Sequence, residues 1–271
     1  MTRRTCLQTL AATALAAQTP AKAGFLRLRA RTRDANGEKE IDLHWKTTET
    51  AIIVCDMWNG HYCGNAARRV TLTAPRMNEV LKGARSLGVT IIHSPSGTMD
   101  VYTAMDQRKR MIAAKAATPP VEIGKWCYFD PKAEAELPID DKTQPCDDDV
   151  VGAAVKRFDR QHPALEIFPQ DGISDSGVEI YNYFEEKGIT NVALMGVHLN
   201  MCVLGRPFGI RQMVRLGKKV VLARDLTDAM YDPKQRPWVS HERGTELMVY
   251  HVERHWCPSV LGEDLTRLAV S

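Results

Sequence analysis

Apolar and polar positions along this chain alternate between strand-like and helix-like stretches. Ala51 to Asp56 is a continuous apolar run closed by a carboxylate, as expected of a strand buried on both faces. Ala66 to Leu87 reads as a helix carrying Pro75 and closed by Gly88, and Val89 to His93 as a second strand. A helical stretch follows from Val101 to Ala117 and stops before Pro119-Pro120. The pattern resumes with a helix over Asp175 to Lys187, a strand over Asn191 to His198 and a helix from Asn200 to Leu216. A strand over Lys219 to Asp225 and a helix near Ser240 to His251 complete it. Repeated strand–helix units with apolar strands predict an α/β fold: one three-layer domain around a mostly parallel, doubly wound sheet of about six strands.

Between about residues 119 and 150 the periodicity is lost; Pro131, Pro138, Pro145 and the run Asp147-Asp148-Asp149 lie there. A loop this long inside a compact domain is uncommon, and it reads either as a lid over a site or as an ordered surface excursion. The acidic run lacks the spacing and the glycine of an EF-hand, so it reads as solvated acid. The first 23 residues differ from the rest. Arg3 and Arg4 precede an apolar run from Cys6 to Ala17, and Ala21-Lys22-Ala23 ends in a small-x-small site. That is the layout of a secretory signal, with a twin-arginine-like start, and it predicts export to a periplasmic or extracellular space. Residues 24–271 then form the domain.

Composition narrows the function classes. A net charge of +3 over 271 residues, with both signs interleaved, leaves no nucleic-acid footprint. No glycine-rich phosphate loop follows any strand, which argues against nucleotide binding. The six cysteines after the leader (Cys55, Cys63, Cys127, Cys146, Cys202, Cys257) show no C-x-x-C pairing, so their spacing supports no metal site, and no cofactor is implied. An oxidising compartment would permit disulfides, and Cys127 with Cys146 is one candidate pair.

In open parallel sheets, ligands sit beyond the carboxyl ends of the strands. Asp56, His93 and the turn Gly196-Val-His-Leu-Asn-Met-Cys202 fall there. Cys202 lies where a strand turns into a helix, where free backbone N–H groups favour a thiolate and can hold an oxyanion.

These residues resemble the isochorismatase-like cysteine hydrolases. Asp56-Met-Trp-Asn59 is similar to that family's first-strand motif, Gly188 to Val203 to its nucleophile segment, and Arg224-Asp225-Leu-Thr-Asp-Ala229 to its later Asp-Ala segment. The resemblance spans roughly Thr50 to Met230. It implies a C–N hydrolase working through an Asp, Lys and Cys triad: Cys202 as nucleophile, Asp56 as proton carrier, and a thioester intermediate. It places a cis peptide at Val197–His198 and assigns the oxyanion to the N–H groups of His198 and Cys202. Ungapped alignment puts Arg160 where the family has its lysine, with Lys156 one turn earlier as the alternative; arginine stays charged and cannot shuttle a proton. The metal-binding histidines of nicotinamidases are missing, His93 standing alone.

Trp58, His61 and Tyr62 follow the aspartate and either line the pocket or, for Trp58, pack the core; His93 is the further substrate-contact candidate. His162 reads as exposed, Asp225 as a structural cap, and Trp126 as either a closing element or an anchor of its loop. The expected partner is a small-molecule substrate, with neither nucleic acid nor, after signal removal, membrane, and family likeness implies a homo-oligomer. Two other readings remain open: a non-catalytic binding or assembly protein on the same fold, and a thiol redox protein.

Overall fold

The computed structural model describes residues 24–150 and 157–269; the segment expected to be a leader, and Lys156, fall outside them. The core strands follow the apolar runs: β3 (Thr50–Cys55), β4 (Thr90–Ser94), β5 (Gly172–Ile173), β6 (Asn191–Val197), β7 (Lys219–Asp228) and β8 (Ser259–Val260). These six pair in parallel, in the order β8-β7-β6-β3-β4-β5.

The sheet has eight strands rather than about six, because an N-terminal hairpin joins it. β1 (Phe25–Asp34) and β2 (Gly37–Lys46) pair antiparallel along their whole length, and β1 extends the sheet by bridging to β8. The alternation of Leu26, Leu28 and Ala30 with Arg27, Arg29 and Arg31 puts only the first three in the core. Such a half-buried strand carries period two rather than a continuous apolar run. Ala35 and Asn36 form the turn, and Gly37 after them takes φ +110°.

Helices cover both faces. β3 shows why: Ala51, Ile53 and Cys55 face one apolar cluster, while Ile52 and Val54 face the other. The first cluster is closed by α3 (Gly177–Lys187), α4 (Ile210–Arg215) and α5 (His241–His255), through Phe184, Met213 and Val252 among others. The second is closed by α1 (Gly64–Ser86) through Val70, Met77 and Leu81. Burial of this kind stabilises by roughly 25 cal/mol per Å² of apolar surface, which makes the two faces the main source of cohesion. Among the described residues no helix is long and apolar enough to cross a membrane.

Two predicted helices are shorter than their patterns. The stretch from Val101 resolves into a 3₁₀ turn, Met99–Tyr102, and α2 (Asp106–Ile112), after which the chain is irregular to residue 150. The stretch from Asn200 begins as a wide turn, Leu199–Val203, in which the Val203 N–H donates to the His198 carbonyl five residues back. It breaks at Arg206–Gly209 before α4, since Pro207 has no N–H to continue the ladder.

The chain runs β3, β4, β5 to one side and β6, β7, β8 to the other. The direction of winding therefore reverses between β3 and β6, and a crevice opens at their carboxyl ends.

Candidate active site

Asp56 and Cys202 meet in that crevice. β3 and β6 run level, Cys55 opposite Gly196, so the residues just past each strand face one another. The approach is close enough to require glycine: a Cβ at Gly196 would lie 2.0 Å from the Cys55 carbonyl oxygen, and its φ is +113°. Asp56 itself adopts φ +48°, a conformation few non-glycine residues take, and one found where a site over-determines the backbone. The Val197–His198 peptide is cis.

The Asp56 carboxylate is fully buried. Oδ1 accepts the Ser96 N–H at 2.8 Å, Oδ2 accepts Nε of Arg206 at 2.9 Å, and the Cys202 thiol lies close enough to the same carboxylate for the two groups to shift each other's pKa. Burial raises the Asp56 pKa above the ordinary carboxylate range, against the pull of Arg206, Cys202 and Ser96. Burial and the neighbouring carboxylate also push the Cys202 thiol up, while Arg206 and a backbone hydrogen bond at His198 pull it down. Removing one proton from the thiol–carboxyl pair leaves a single negative charge facing one fixed positive charge.

The cation beside Asp56 is Arg206, not Arg160. Residues 157–161 run beside the exit of β3: Trp58 bridges antiparallel to Gln161, and the Asn59 N–H donates to the Arg160 carbonyl at 3.0 Å. In an extended segment neighbouring side chains point to opposite sides. Gln161 takes the inward place, so Arg160 turns outward, 57% exposed, with Nε on Asp159 at 3.2 Å. Arg206 was missed because the helix pattern gave it no special place. Its signal is the spacing: it lies four residues after Cys202, and its N–H donates to the Cys202 carbonyl at 3.0 Å. One helical turn therefore carries the thiol and its cation on one side.

His93 is also corrected. Its ring is fully buried, Nδ1 paired with Gln161 Oε1 at 3.0 Å and Nε2 with Asp171 Oδ2 at 3.1 Å, and Arg85 doubly binds Asp171 at 2.9 and 2.8 Å. With both ring nitrogens occupied, His93 belongs to a buried network joining β4 to α1 rather than to a substrate pocket. Trp58 packs in the core, stacked on Phe158 at 4.4 Å, and its Nε1–H donates to the Ser96 carbonyl at 3.0 Å. It thereby positions the residue whose N–H holds Asp56. His61 does reach the site's surroundings, its ring edge-on to His198 at 5.0 Å, with Tyr62 tilted over it at 4.6 Å. His198 Nε2 is buried without a partner among the described residues, and burial, reinforced by His61, lowers its pKa to about 3. The ring is neutral.

The long loop packs on the helical segment that follows Cys202. The Cys127 N–H donates to the Gly205 carbonyl at 2.7 Å, and the Trp126 ring lies 5.5 Å from the Arg206 guanidinium. A Cβ at Gly205 would meet that ring at 2.5 Å. Glu134 anchors the loop below, accepting from His251 Nε2 and Trp256 Nε1 at 2.8 Å each and pairing with Arg211 at 2.7 Å. The Cys127–Cys146 pairing does not form: Cys127 Sγ contacts Gln212 Oε1 at 3.0 Å, and all six described cysteines are free. Asp225 is a structural tie, accepting from Arg76 and from the Gly262 N–H.

Two cavities flank the crevice. One of about 450 Å³ is lined by Ser96 and Arg206, the two partners of Asp56, together with Lys125 and Asp175. The other, about 470 Å³, lies beneath the long loop beside Asn200, Met201 and Trp126. Cys202 lines neither and is 9% exposed. The cavity touching the partners of Asp56 is the better placed for a reacting group.

No protein-family model matches the chain, and no curated protein matches it. Among solved structures it is similar to a cysteine hydrolase from Pseudomonas syringae pv. phaseolicola 1448A, at 15% identity and TM-score 0.48 over 82% of this chain and 92% of that one. It is likewise similar to an isochorismatase family protein from Desulfovibrio vulgaris subsp. vulgaris str. Hildenborough (15%, TM-score 0.41, 80% and 96%). A ribonuclease from Caenorhabditis elegans matches at 12% identity and TM-score 0.38, over 74% and 73%. Further solved structures to which it is similar over about 80% of its length are described as isochorismatases or isochorismatase family proteins.

Proposed function

We propose that this protein is a cysteine hydrolase that cleaves a C–N bond of a small amide or ureide. The observation that carries the reading is that Cys202 faces, across the level ends of β3 and β6, a buried Asp56 held in place by Ser96 and Arg206. Asp56 takes the thiol proton as Sγ attacks the carbonyl carbon, and the C=O π pair moves to oxygen. The tetrahedral species then collapses: the C–N bond breaks, Asp56 returns the proton to the leaving nitrogen, and a thioester remains on Cys202. Water, deprotonated by Asp56, adds to the thioester and expels the sulfur, which recovers its proton. Arg206 stays charged throughout and stabilises whichever of the two groups is the anion. The backbone at His198 and Cys202 is the candidate oxyanion cradle.

A cavity of about 450 Å³ suits a small substrate. The test is ammonia release from a panel of small amides and ureides by wild type and by Cys202→Ala. Release by wild type alone, with a thioester caught by mass spectrometry on Cys202, supports the reading; equal release by both removes it. The buried position and raised pKa of Cys202 favour a second reading, a binding protein with an idle thiol. Iodoacetamide labelling separates the two: a free-thiol pH profile favours the binding protein, and a profile with an early acid limb favours the hydrolase. We propose further that the leader directs export and that the mature chain self-associates. Fractionation of the expressing cell and light scattering of the purified chain test these two points.

A further inference from the structure

A second group of reactive side chains lies apart from Cys202. Cys63 directly precedes α1, and Cys146, Asp147 and Asp148 end the long loop. Sγ of Cys63, Sγ of Cys146 and a carboxylate oxygen of Asp148 all lie within 4.8 Å of one another, and both sulfurs are buried. Cys63 Sγ is 3.5 Å from Asp148 Oδ1 and 3.5 Å from Asp147 Oδ1. A tetrahedral ion bound at about 2.3 Å by sulfur and about 2.0 Å by oxygen spaces those two ligands roughly 3.5 Å apart. The donors are also oriented from outside. The Gly64 and Asn65 N–H groups donate to Asp148 at 2.7 and 2.8 Å, the Asn65 side-chain amide donates to the Asp147 carbonyl at 2.8 Å, and Arg69 grips the Asp147 carboxylate at 2.7 and 3.1 Å. Such outer contacts fix ligand direction, and a carboxylate oxygen that accepts one N–H keeps a second lone pair.

We propose that Cys63, Cys146 and Asp148 form a binding site for a zinc-like divalent transition metal ion, with Asp147 or a water as fourth ligand. Two sulfurs and a carboxylate suit a borderline-soft ion and are a poor set for Mg²⁺ or Ca²⁺, which take oxygen ligands. Burial holds both thiols protonated when no ion is present, so binding is the exchange of two S–H protons for two metal–sulfur bonds with no change of oxidation state. The spacing of Cys63 and Cys146, 83 positions apart, gives no hint of the pair, which is why the cysteine pattern predicts no metal. The site's role is to fasten the end of the loop to the head of α1. Both cysteines share a cluster with Met201, the residue before Cys202, so the clamp also fixes the loop beside the nucleophile's turn.

The experiment uses the full mature chain carrying Cys202→Ala, so that the nucleophile cannot itself bind the probe. After chelation the protein is titrated with Co²⁺. The expected result is one equivalent bound, with a thiolate-to-cobalt charge-transfer band and the visible absorption of a tetrahedral site. Adding Cys146→Ser should weaken binding at least about 100-fold and remove the charge-transfer band, whereas adding Cys257→Ser should leave both unchanged. Should the serine variant fail to fold, a mercurial titration replaces it: the bound ion should leave as two thiols react. A band that survives Cys146→Ser overturns the proposal. So does a chain that binds no Co²⁺ with Cys63 and Cys146 free, or one whose mass shows those two joined as a disulfide.

Discussion

Replacing Arg206 by methionine keeps most of the side-chain bulk and removes the one positive charge that, among the described residues, touches Asp56. Arg206 Nε lies 2.9 Å from Oδ2, and its side chain is 27% exposed. Two unit charges about 4 Å apart interact by about 4 kcal/mol at an effective dielectric of about 20. Partial solvent access to Arg206 reduces this to about 3 kcal/mol, or roughly two pKa units. The quantity that moves is the first ionisation of the Cys202–Asp56 pair, since the charge left after one proton departs is what Arg206 stabilises. The sign follows directly: without the cation the proton is held more tightly, so the acid limb of Cys202 reactivity shifts to higher pH. Alkylation of Cys202 by iodoacetamide, followed by intact mass across a pH series, needs no knowledge of the substrate. At a pH below both limbs, Arg206→Met should react on the order of 100-fold more slowly than wild type. Arg206→Lys, which keeps the charge but loses the planar fork, should recover part of the shift. Coincident limbs for wild type and Arg206→Met would refute the electrostatic account of this site.

Arg160→Ala should leave that limb within about 0.3 pH unit of wild type, because its side chain faces solvent and pairs with Asp159; a shift as large as that of Arg206→Met would restore Arg160 to the site. Glu134→Gln should lower stability by about 3 kcal/mol at neutral pH, measured by urea unfolding. Burial works against the Glu134 carboxylate, but His251, Arg211 and Trp256 outweigh it and hold its pKa at about 2. Because that folded value is depressed, its contribution is present above about pH 4.5 and fades as pH falls towards about 2, so wild type and variant should converge in acid. Gly205→Ala puts a methyl group into the Trp126 ring and should cost about 1–3 kcal/mol. Hydrogen exchange should show the Cys127 amide losing protection, since its acceptor is the Gly205 carbonyl.

What the sequence determined is the part written in local pattern. Parallel strands covered on both faces are mostly apolar, so β3, β6 and the inner parts of β4 and β7 announce themselves as runs, and Gly88, Gly188 and Gly217 mark where helices end. The acid at the end of β3 and the thiol after β6 were legible for the same reason: strand ends at a switch point are where polar residues gather. The hairpin β1–β2 was also written in the chain, in a fainter hand, as alternation and a glycine just after the turn.

Tertiary structure alone decided which cation, which histidines and which cysteines matter. Arg160 and Arg206 are equally basic in sequence; an extended bridge turns the first outward, and one turn of helix carries the second to Asp56. His93 ends a predicted strand as a ligand might, yet the segment leading into β5 gives both its nitrogens partners, Gln161 and Asp171. Cys63 meets Cys146 only because the loop returns to the head of α1. Local pattern reports what a residue's immediate neighbours require, whereas a charge or a ligand set is completed by groups whose approach depends on the whole chain's path.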